Sequence, residues 1–263
     1  MKIDNSIIDL YIKGEPSSMY SNHWVYSAII PEQYCFTEPD ANRAIEVESY
    51  RDQITNLCHN FTFRNNDLVH KIFDNTSTIV QNANILFTVG LPEMYDAMVR
   101  EHNGRTYIII DLINFSNYFN NDNSFSDITS NFLTHELVHV LINEKYPKED
   151  FDYIEYLDYI SFHEGFAHLL SYKENIMQYQ LDDTYKERFI NAKDTLIAAL
   201  NETDPILCQR YTNEANSGKY WDKFAAISSM LYLMKHREDL KSIYEKGWRG
   251  FTQNIKKQVS EME

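Results

Sequence analysis

The sequence predicts an α+β protein in which a small mixed sheet precedes a mostly helical C-terminal half. Between Asn84 and Phe115, apolar runs flank an Asn-Gly pair, which is typical of a β-hairpin. Beyond residue 125, apolar residues recur at helical spacing. We expect one domain over residues 1–263, with helices and sheet in 1–147 and a helical subdomain in 148–263.

Composition and charge exclude several classes of protein. The hydrophobic content is 43 % and the net charge is −15, so we expect a globular chain without a basic cluster for nucleic acid. No apolar run is long enough for a membrane span or a signal peptide. A cytoplasmic location is therefore expected, or a secreted one if a signal peptide has been removed. The three cysteines are widely spaced and predict no disulfide framework.

The N-terminal region has weaker periodicity than the rest of the chain. His23–Ile30 is aromatic and β-branched and fits either a strand or a short helix. Asp40 is a good N-cap for a helix over 41–58, and a second helical pattern covers 66–80. We expect both helices to be scaffold.

The predicted hairpin joins two segments of different character. Residues 105–115 are almost continuously apolar, which predicts a central strand, whereas residues 96–101 alternate and suit an edge strand. Asn103 and Gly104 tolerate the positive φ that a type I′ turn needs. Because an exposed edge strand can bind an extended peptide, we expect a substrate peptide to lie antiparallel to this hairpin.

The clearest chemical motif is HELVH at residues 135–139, which contains two histidines four positions apart. On a helix such histidines lie on one face, about 5–6 Å apart at Cβ, so both imidazoles can bind one Zn²⁺ at about 2.0–2.1 Å. His135 and His139 are therefore candidate ligands. Glu136 lies beside such a metal rather than on it, where it can accept a proton from an activated water.

Helices are expected through the motif and after it. Ser126 and Asp127 are good N-caps for the motif helix over 128–142. The later helical patterns cover 151–175, 183–200 and 220–236, with a break at Asp204-Pro205.

A third metal ligand must come from elsewhere, because catalytic zinc has three protein ligands and one open position. The pattern HExxHxxGxxH is excluded, since Ile142 and Lys145 stand where it needs Gly and His. Another common arrangement places a Glu on the next long helix, where Glu164 is well placed. Its small neighbours Gly165 and Ala167 would let this helix pack closely against the motif helix.

The HELVH motif followed by Glu-Gly-x-Ala resembles the gluzincin-type zinc metallopeptidases, in particular bacterial families of predicted zinc-dependent proteases. The similarity extends from Asn84 to Phe224. It implies a zincin-like fold with His135, His139 and Glu164 as the ligands of one Zn²⁺. It also implies that Glu136 is the general base.

The chain departs from this family at one position. The better-known gluzincins have Glu-x-x-x-Asp, in which the Asp orients a ligand histidine, whereas this chain has His168 four residues after Glu164. His168 therefore either orients a group near the metal or competes as a ligand. His163 is a further alternative for the third ligand.

The resemblance also implies a residue that stabilises the oxyanion. Tyr220, which opens a predicted helix after Gly218, matches that position, and Tyr211 and His236 are the alternatives. Nothing in the chain resembles the Gly-x-Met-Glu-Asn strand of aminopeptidases, so an endopeptidase or a narrow processing enzyme is expected.

These observations predict a zinc metallopeptidase that cleaves peptide or protein substrates, with Glu136 as general base. One alternative is a zinc-binding or regulatory protein on the same fold that cleaves nothing. Another is a zinc hydrolase of a non-peptide amide or ester. The intact Glu136 argues against the first alternative, because a purely structural zinc site has no use for a base.

Overall fold

The structure, a computed structural model, describes residues 1–30, 32–120 and 125–258, and these residues form an α+β fold. The strands are β1 (Lys2–Asp4), β2 (Asn84–Thr88), β3 (Ala97–His102) and β4 (Arg105–Asp111). The α-helices are α1 (Ser6–Ile12), α2 (Ala44–His59), α3 (Asn66–Ile72), α4 (Thr76–Asn82), α5 (Leu112–Ser116), α6 (Phe125–Lys145), α7 (Tyr153–Leu170), α8 (Asp183–Leu200), α9 (Pro205–Glu214), α10 (Phe224–Lys235), α11 (Leu240–Lys246) and α12 (Phe251–Lys257).

The four strands form one mixed sheet in the order β1-β2-β4-β3. β1, β2 and β4 run parallel, and β3 pairs antiparallel with β4, with Val99 opposite Ile108. Three successive residues of β4, Ile108, Ile109 and Ile110, are buried, as expected for a strand paired on both sides. The predicted small mixed sheet, central strand and edge strand are confirmed. The prediction that the central strand extends to residue 115 is wrong, because β4 ends at Asp111, whose side chain caps the start of α5.

The turn between β3 and β4 has the predicted conformation. Asn103 has a φ of 50° and Gly104 a φ of 69°, so both central residues are left-handed, as a type I′ turn requires. This turn fixes the register of the hairpin, because a two-residue loop leaves His102 opposite Arg105.

The secondary structure of the N-terminal region agrees only in part with the prediction from its sequence. Trp24–Ser27 form a 3₁₀ helix, so the short-helix interpretation is correct and the strand interpretation is wrong. The His23 side chain accepts the Val25 N–H at the start of this turn, which gives the chain a local alternative to strand pairing. A strand that was not predicted, β1, instead pairs with β2.

The two early helical patterns have different outcomes. Asp40 accepts the Asn42 N–H, and the chain continues through a short 3₁₀ turn into α2, as predicted. The pattern over 66–80 is split into α3 and α4, because Asn75 is left-handed with a φ of 57° and interrupts the helix. The break at Asp204 is the start of α9, whose N-terminal N–H groups that residue caps.

The residues cluster into two compact units. The first unit comprises residues 1–62 and 75–140, and contains the whole sheet with α1, α2, α4, α5 and most of α6. The second unit comprises residues 63–74 and those from 141 onward, and contains α3 and α7 to α12. The α6 helix itself runs without interruption from Phe125 to Lys145.

In the second unit, α7 packs closely on α10. A Cβ at Gly165 would lie 2.6 Å from the Ser229 Cβ, so only glycine permits this approach. Gly165 therefore permits the close contact of α7 with α10, a role that the sequence did not predict. On the same helix α7, the Asp158 carboxylate accepts the N–H groups of Gly250 and Thr252 and so caps the start of α12.

No helix among the described residues is both long enough and apolar enough to cross a membrane.

Candidate metal centre

The two motif histidines lie close together on α6. The helix begins at Phe125, so Ser126 and Asp127 lie in its first turn and are not its N-caps. The Nε2 atoms of His135 and His139 are 3.1 Å apart. Two nitrogen ligands at about 2.0–2.1 Å from one tetrahedral zinc would be about 3.3 Å apart. The histidine pair is therefore spaced as two ligands of one ion.

A second donor pair lies on α7. A capping box of Asp152 and Glu155 fixes the start of this helix. Glu164 and His168 lie further along the helix, one helical turn apart. The distance from Glu164 Oε2 to His168 Nε2 is 3.6 Å. Their side chains are only 9 % and 8 % exposed. This pair also has roughly the separation of two zinc ligands, and burial favours any partner that neutralises the carboxylate.

Three of these side chains, His135, Glu164 and His168, form a group that could hold a metal ion. Each offers one ligand atom, and these atoms all lie within 4.8 Å of one another. Imidazole and carboxylate are the donors that zinc takes in hydrolytic sites. The residues of this group therefore fit a metal ion such as zinc. The predicted ligand His139 is not a member of the group, although its Nε2 lies 3.1 Å from that of His135.

Glu136 is buried beside the histidine pair. Glu136 is only 7 % exposed to solvent. The Arg100 guanidinium interacts electrostatically with Glu136. Burial lowers the pKa of Arg100, and the charges of Tyr95 and Glu136 partly offset this effect. Glu136 is thus a buried carboxylate that interacts with the Arg100 cation and follows His135 directly.

Arg100 also hydrogen-bonds to a backbone group on the free edge of β3. Asp111 N–H donates to Asp96 O, so the N–H and C=O groups of Ala97 and Val99 point away from β4. The Asp96 carboxylate accepts the Ala97 N–H, and Arg100 Nη1 donates to Val99 O. Two outward groups of the edge strand are therefore hydrogen-bonded, one to Arg100 of the same strand and one to Asp96, which precedes it.

Tyr220 lies beside His168. It begins a 3₁₀ helix, Tyr220–Asp222, just before α10 rather than opening the helix itself. The two rings are edge to face, with centroids 5.2 Å apart. Burial raises the pKa of Tyr220 to about 12, so its phenol stays protonated at neutral pH and can donate a hydrogen bond. In this structure the hydroxyl donates to Met230 Sδ at 3.4 Å.

The alternative residues have other contacts. The His163 ring stacks on Tyr159, with centroids 3.9 Å apart, in the aromatic interior of the second unit. Tyr211 packs edge to face against Phe224, and His236 Nε2 lies 3.0 Å from Gln258 Nε2.

Sequence reasoning missed two tyrosines and an arginine near these groups. Burial raises the pKa values of Tyr156 and Tyr159, and the charge of Glu164 adds to the effect for both. Tyr156 precedes Glu164 by eight positions and shares its helix face, a spacing that could have identified it. Arg100 could not be found this way, because its approach to Glu136 depends on how β3 meets α6.

Comparison with known proteins finds no family model, no curated protein and no solved structure that matches this chain.

Proposed function

We propose that the protein is a zinc-dependent metallopeptidase that binds one Zn²⁺ per chain through His135, His139 and Glu164. The observation that carries this proposal is the grouping of the Glu164 carboxylate with the imidazoles of His135 and His168 within 4.8 Å. His139 is included because its Nε2 lies 3.1 Å from that of His135 on the same HExxH helix. A neutral pair of imidazoles and one carboxylate leave the centre one net positive charge. Zinc in such a centre supplies Lewis acidity, which makes a water molecule acidic enough to ionise near pH 7.

Glu136 is the proposed general base. It follows His135 directly, so its side chain is displaced by about 100° around the helix and is not needed as a ligand. A buried carboxylate in this position can accept a proton from the attacking water and deliver it to the leaving amine. The Arg100 charge favours the ionised carboxylate, which is the form that accepts the proton.

Tyr220 is the proposed oxyanion stabiliser. Its ring contacts His168, and its phenol is protonated at neutral pH, so it can donate a hydrogen bond to negative charge that develops on the substrate carbonyl. The contact with Met230 Sδ is a weak one, so the hydroxyl can exchange it for a stronger acceptor at little cost.

We propose a peptide or protein substrate that adds to the free edge of β3, with endopeptidase action. A peptide running antiparallel to β3 would pair with the outward groups of Ala97 and Val99. It would have to displace the Arg100 guanidinium from Val99 O and the Asp96 carboxylate from Ala97 N–H. The hydrogen-bonding groups of the edge strand are therefore partly occupied, and a substrate peptide must compete with these two side chains for them.

The gluzincin assignment and the zincin-like fold are part of this proposal. An HExxH helix, a mixed sheet with an antiparallel edge hairpin, and a Glu on a following long helix support them. A second candidate, a zinc-binding protein without activity, is favoured by one observation. His168 belongs to the group with His135 and Glu164, so a site that also used His139 would have four protein donors, as is typical of structural zinc sites.

Peptide hydrolysis tests the proposed function. Purified protein is incubated with a fluorogenic peptide library with and without a zinc chelator, and His135→Ala is compared with His59→Ala, an exposed histidine at the end of α2. Hydrolysis by the wild type and by His59→Ala, lost with chelator and in His135→Ala, would support the peptidase. Zinc-loaded wild-type protein that cleaves no peptide would favour the inactive zinc-binding alternative.

A further inference from the structure

The turn of the β3–β4 hairpin has an asparagine and a glycine at its two central positions. Asn103 is the only asparagine in the 263-residue sequence that a glycine follows. Both residues are exposed, and both have a positive φ, which is 50° at Asn103 and 69° at Gly104. Gly104 has no side chain, and a Cβ added to it would meet no atom within 4 Å. The side chain of Asn103 therefore lies next to an exposed and unhindered peptide group.

His102 lies beside the side-chain amide of Asn103. The His102 Nε2 and Asn103 Nδ2 atoms are 3.0 Å apart, so the amide N–H donates to the neutral imidazole. Trp24 holds the His102 ring in place, because the two rings stack with centroids 4.1 Å apart and an interplanar angle of 3°. When the imidazole is protonated, the proton on Nε2 therefore lies within reach of the amide nitrogen.

These groups can carry out a reaction within the chain that removes the amide nitrogen of Asn103. The backbone nitrogen of Gly104 attacks Cγ of Asn103 and loses its proton to solvent, and a cyclic imide forms. The bond between Cγ and Nδ2 breaks, and the nitrogen takes up one proton from the His102 imidazolium and leaves as ammonia. Water then opens the imide at one of its two carbonyls. The product is aspartate, or isoaspartate when the main chain continues through the former side chain.

We propose that Asn103 is a site of spontaneous deamidation, in which His102 donates the proton to the departing nitrogen. The reaction does not depend on the metal centre. The two products differ in their effect on the hairpin. Aspartate tolerates the left-handed conformation and keeps the turn. Isoaspartate adds a methylene group to the main chain, and the two-residue turn that keeps His102 opposite Arg105 is lost.

Mass spectrometry of aged wild-type protein tests whether Asn103 is modified. Folded protein is kept at body temperature and neutral pH for several weeks, and samples are digested and mapped. We expect the peptide that contains Asn103 to gain about 1 Da, the difference between an amide and an acid, and to separate into aspartate and isoaspartate forms. Asn201 is the internal control, because it is also exposed but is followed by Glu202. Intact Asn103 throughout, or equally rapid conversion of Asn201, would overturn the proposal.

His102→Phe tests the role of the imidazole, because it keeps an aromatic ring beside Trp24 but has no proton to donate. We expect conversion of Asn103 in the folded variant to be slower by about tenfold or more, since a positioned proton donor typically contributes about 10²–10⁴ in rate. The control His59→Phe should react like the wild type. In urea, where His102 is no longer positioned, wild type and His102→Phe should react at the same rate. His102→Gln provides a second variant if circular dichroism shows that His102→Phe is unfolded. Equal rates in the folded wild type and the folded variant would overturn the role of His102.

Discussion

Glu136 is the residue that separates a peptidase from a protein that only binds zinc. It is buried next to His135, and its chemistry as a base does not require it to coordinate the ion. Glutamine has the same shape and can accept a hydrogen bond, but it cannot take up a proton from water. A change at this position can therefore remove catalysis without removing the metal.

For Glu136→Gln we expect zinc content and thermal stability close to those of the wild type. We expect kcat/KM on the best library peptide to fall by about 10²–10⁴, the usual effect of a positioned proton acceptor. The measurement compares both proteins at matched zinc loading, with Glu144→Gln, an exposed glutamate on the same helix, as the control. Unchanged hydrolysis by Glu136→Gln would show that Glu136 is not the base.

The extent to which the site follows from the sequence depends on how far apart its residues are. His135 and His139, like Glu164 and His168, are separated by one helical turn, so their closeness is a local property that spacing predicts. The approach of Arg100 to Glu136 joins a strand to a helix and has no local signature. Whether His168 orients a ligand or binds the metal itself also depends on differences of less than 1 Å in atomic positions. Residue types alone do not determine such differences.

At the scale of elements, the packing of α7 on α10 is the feature most sensitive to a small change. Helix propensity alone would favour alanine over Gly165 by up to about 1 kcal/mol. The added Cβ would, however, lie 2.6 Å from Ser229 Cβ and 3.2 Å from its backbone carbon, neither of which can rotate away. Overpacking of this kind costs about 1–3 kcal/mol, so steric strain exceeds the gain in propensity.

We therefore expect Gly165→Ala to lower the free energy of unfolding by about 1–2 kcal/mol, measured by urea denaturation. Ser229→Gly removes the closest atom, so the double variant Gly165→Ala/Ser229→Gly should recover part of the loss relative to the sum of the single changes. Strict additivity of the two single effects would contradict a direct clash.

Asp111 joins β4 to α5 and carries a pH dependence. It is fully buried, and burial raises its pKa to about 7, although the N–H groups of Asn114, Leu91 and Ile113 oppose the shift. The folded protein therefore keeps this proton from about pH 4 to about pH 7, where the unfolded chain has lost it. Stability from this group is present below about pH 4 and decreases by about 1.4 kcal/mol for each pH unit up to about 7.

We expect the wild type to lose stability relative to Asp111→Asn as the pH rises from about 4 to about 7. Above about pH 7 the difference in free energy of unfolding between the two proteins should stay constant. Urea denaturation at several pH values measures it. A difference that does not vary with pH would show that the ionisation of Asp111 is the same in the folded and unfolded states.

The elements themselves were predictable where a pattern was long or had specific turn residues. The Asn103-Gly104 turn and the α8 helix follow directly from such signals. The short apolar segment at Trp24–Ser27 fits two structures, and its outcome depends on the burial of Val25 and Tyr26 against the rest of the fold. The three-residue strand β1 is too short for any periodicity to reveal.

At the scale of the whole molecule, the proposed function requires one metal ion bound by the proposed ligands. The α+β class and the small mixed sheet follow from the order of apolar patterns along the chain. The division into two compact units does not follow, since residues 63–74 belong with the C-terminal helices rather than with their neighbours in the sequence. Only tertiary contacts determine that assignment.

The zinc content of purified protein is the most direct test of the proposed metal centre. Elemental analysis should find one zinc per chain in the wild type and in His59→Ala, and far less than one in His135→Ala, His139→Ala and Glu164→Ala, because each loses a ligand. Circular dichroism of the same samples verifies that each variant is folded. Stoichiometric zinc in folded His139→Ala or Glu164→Ala would contradict the proposed ligand set, and a wild type without zinc would contradict the metal centre altogether.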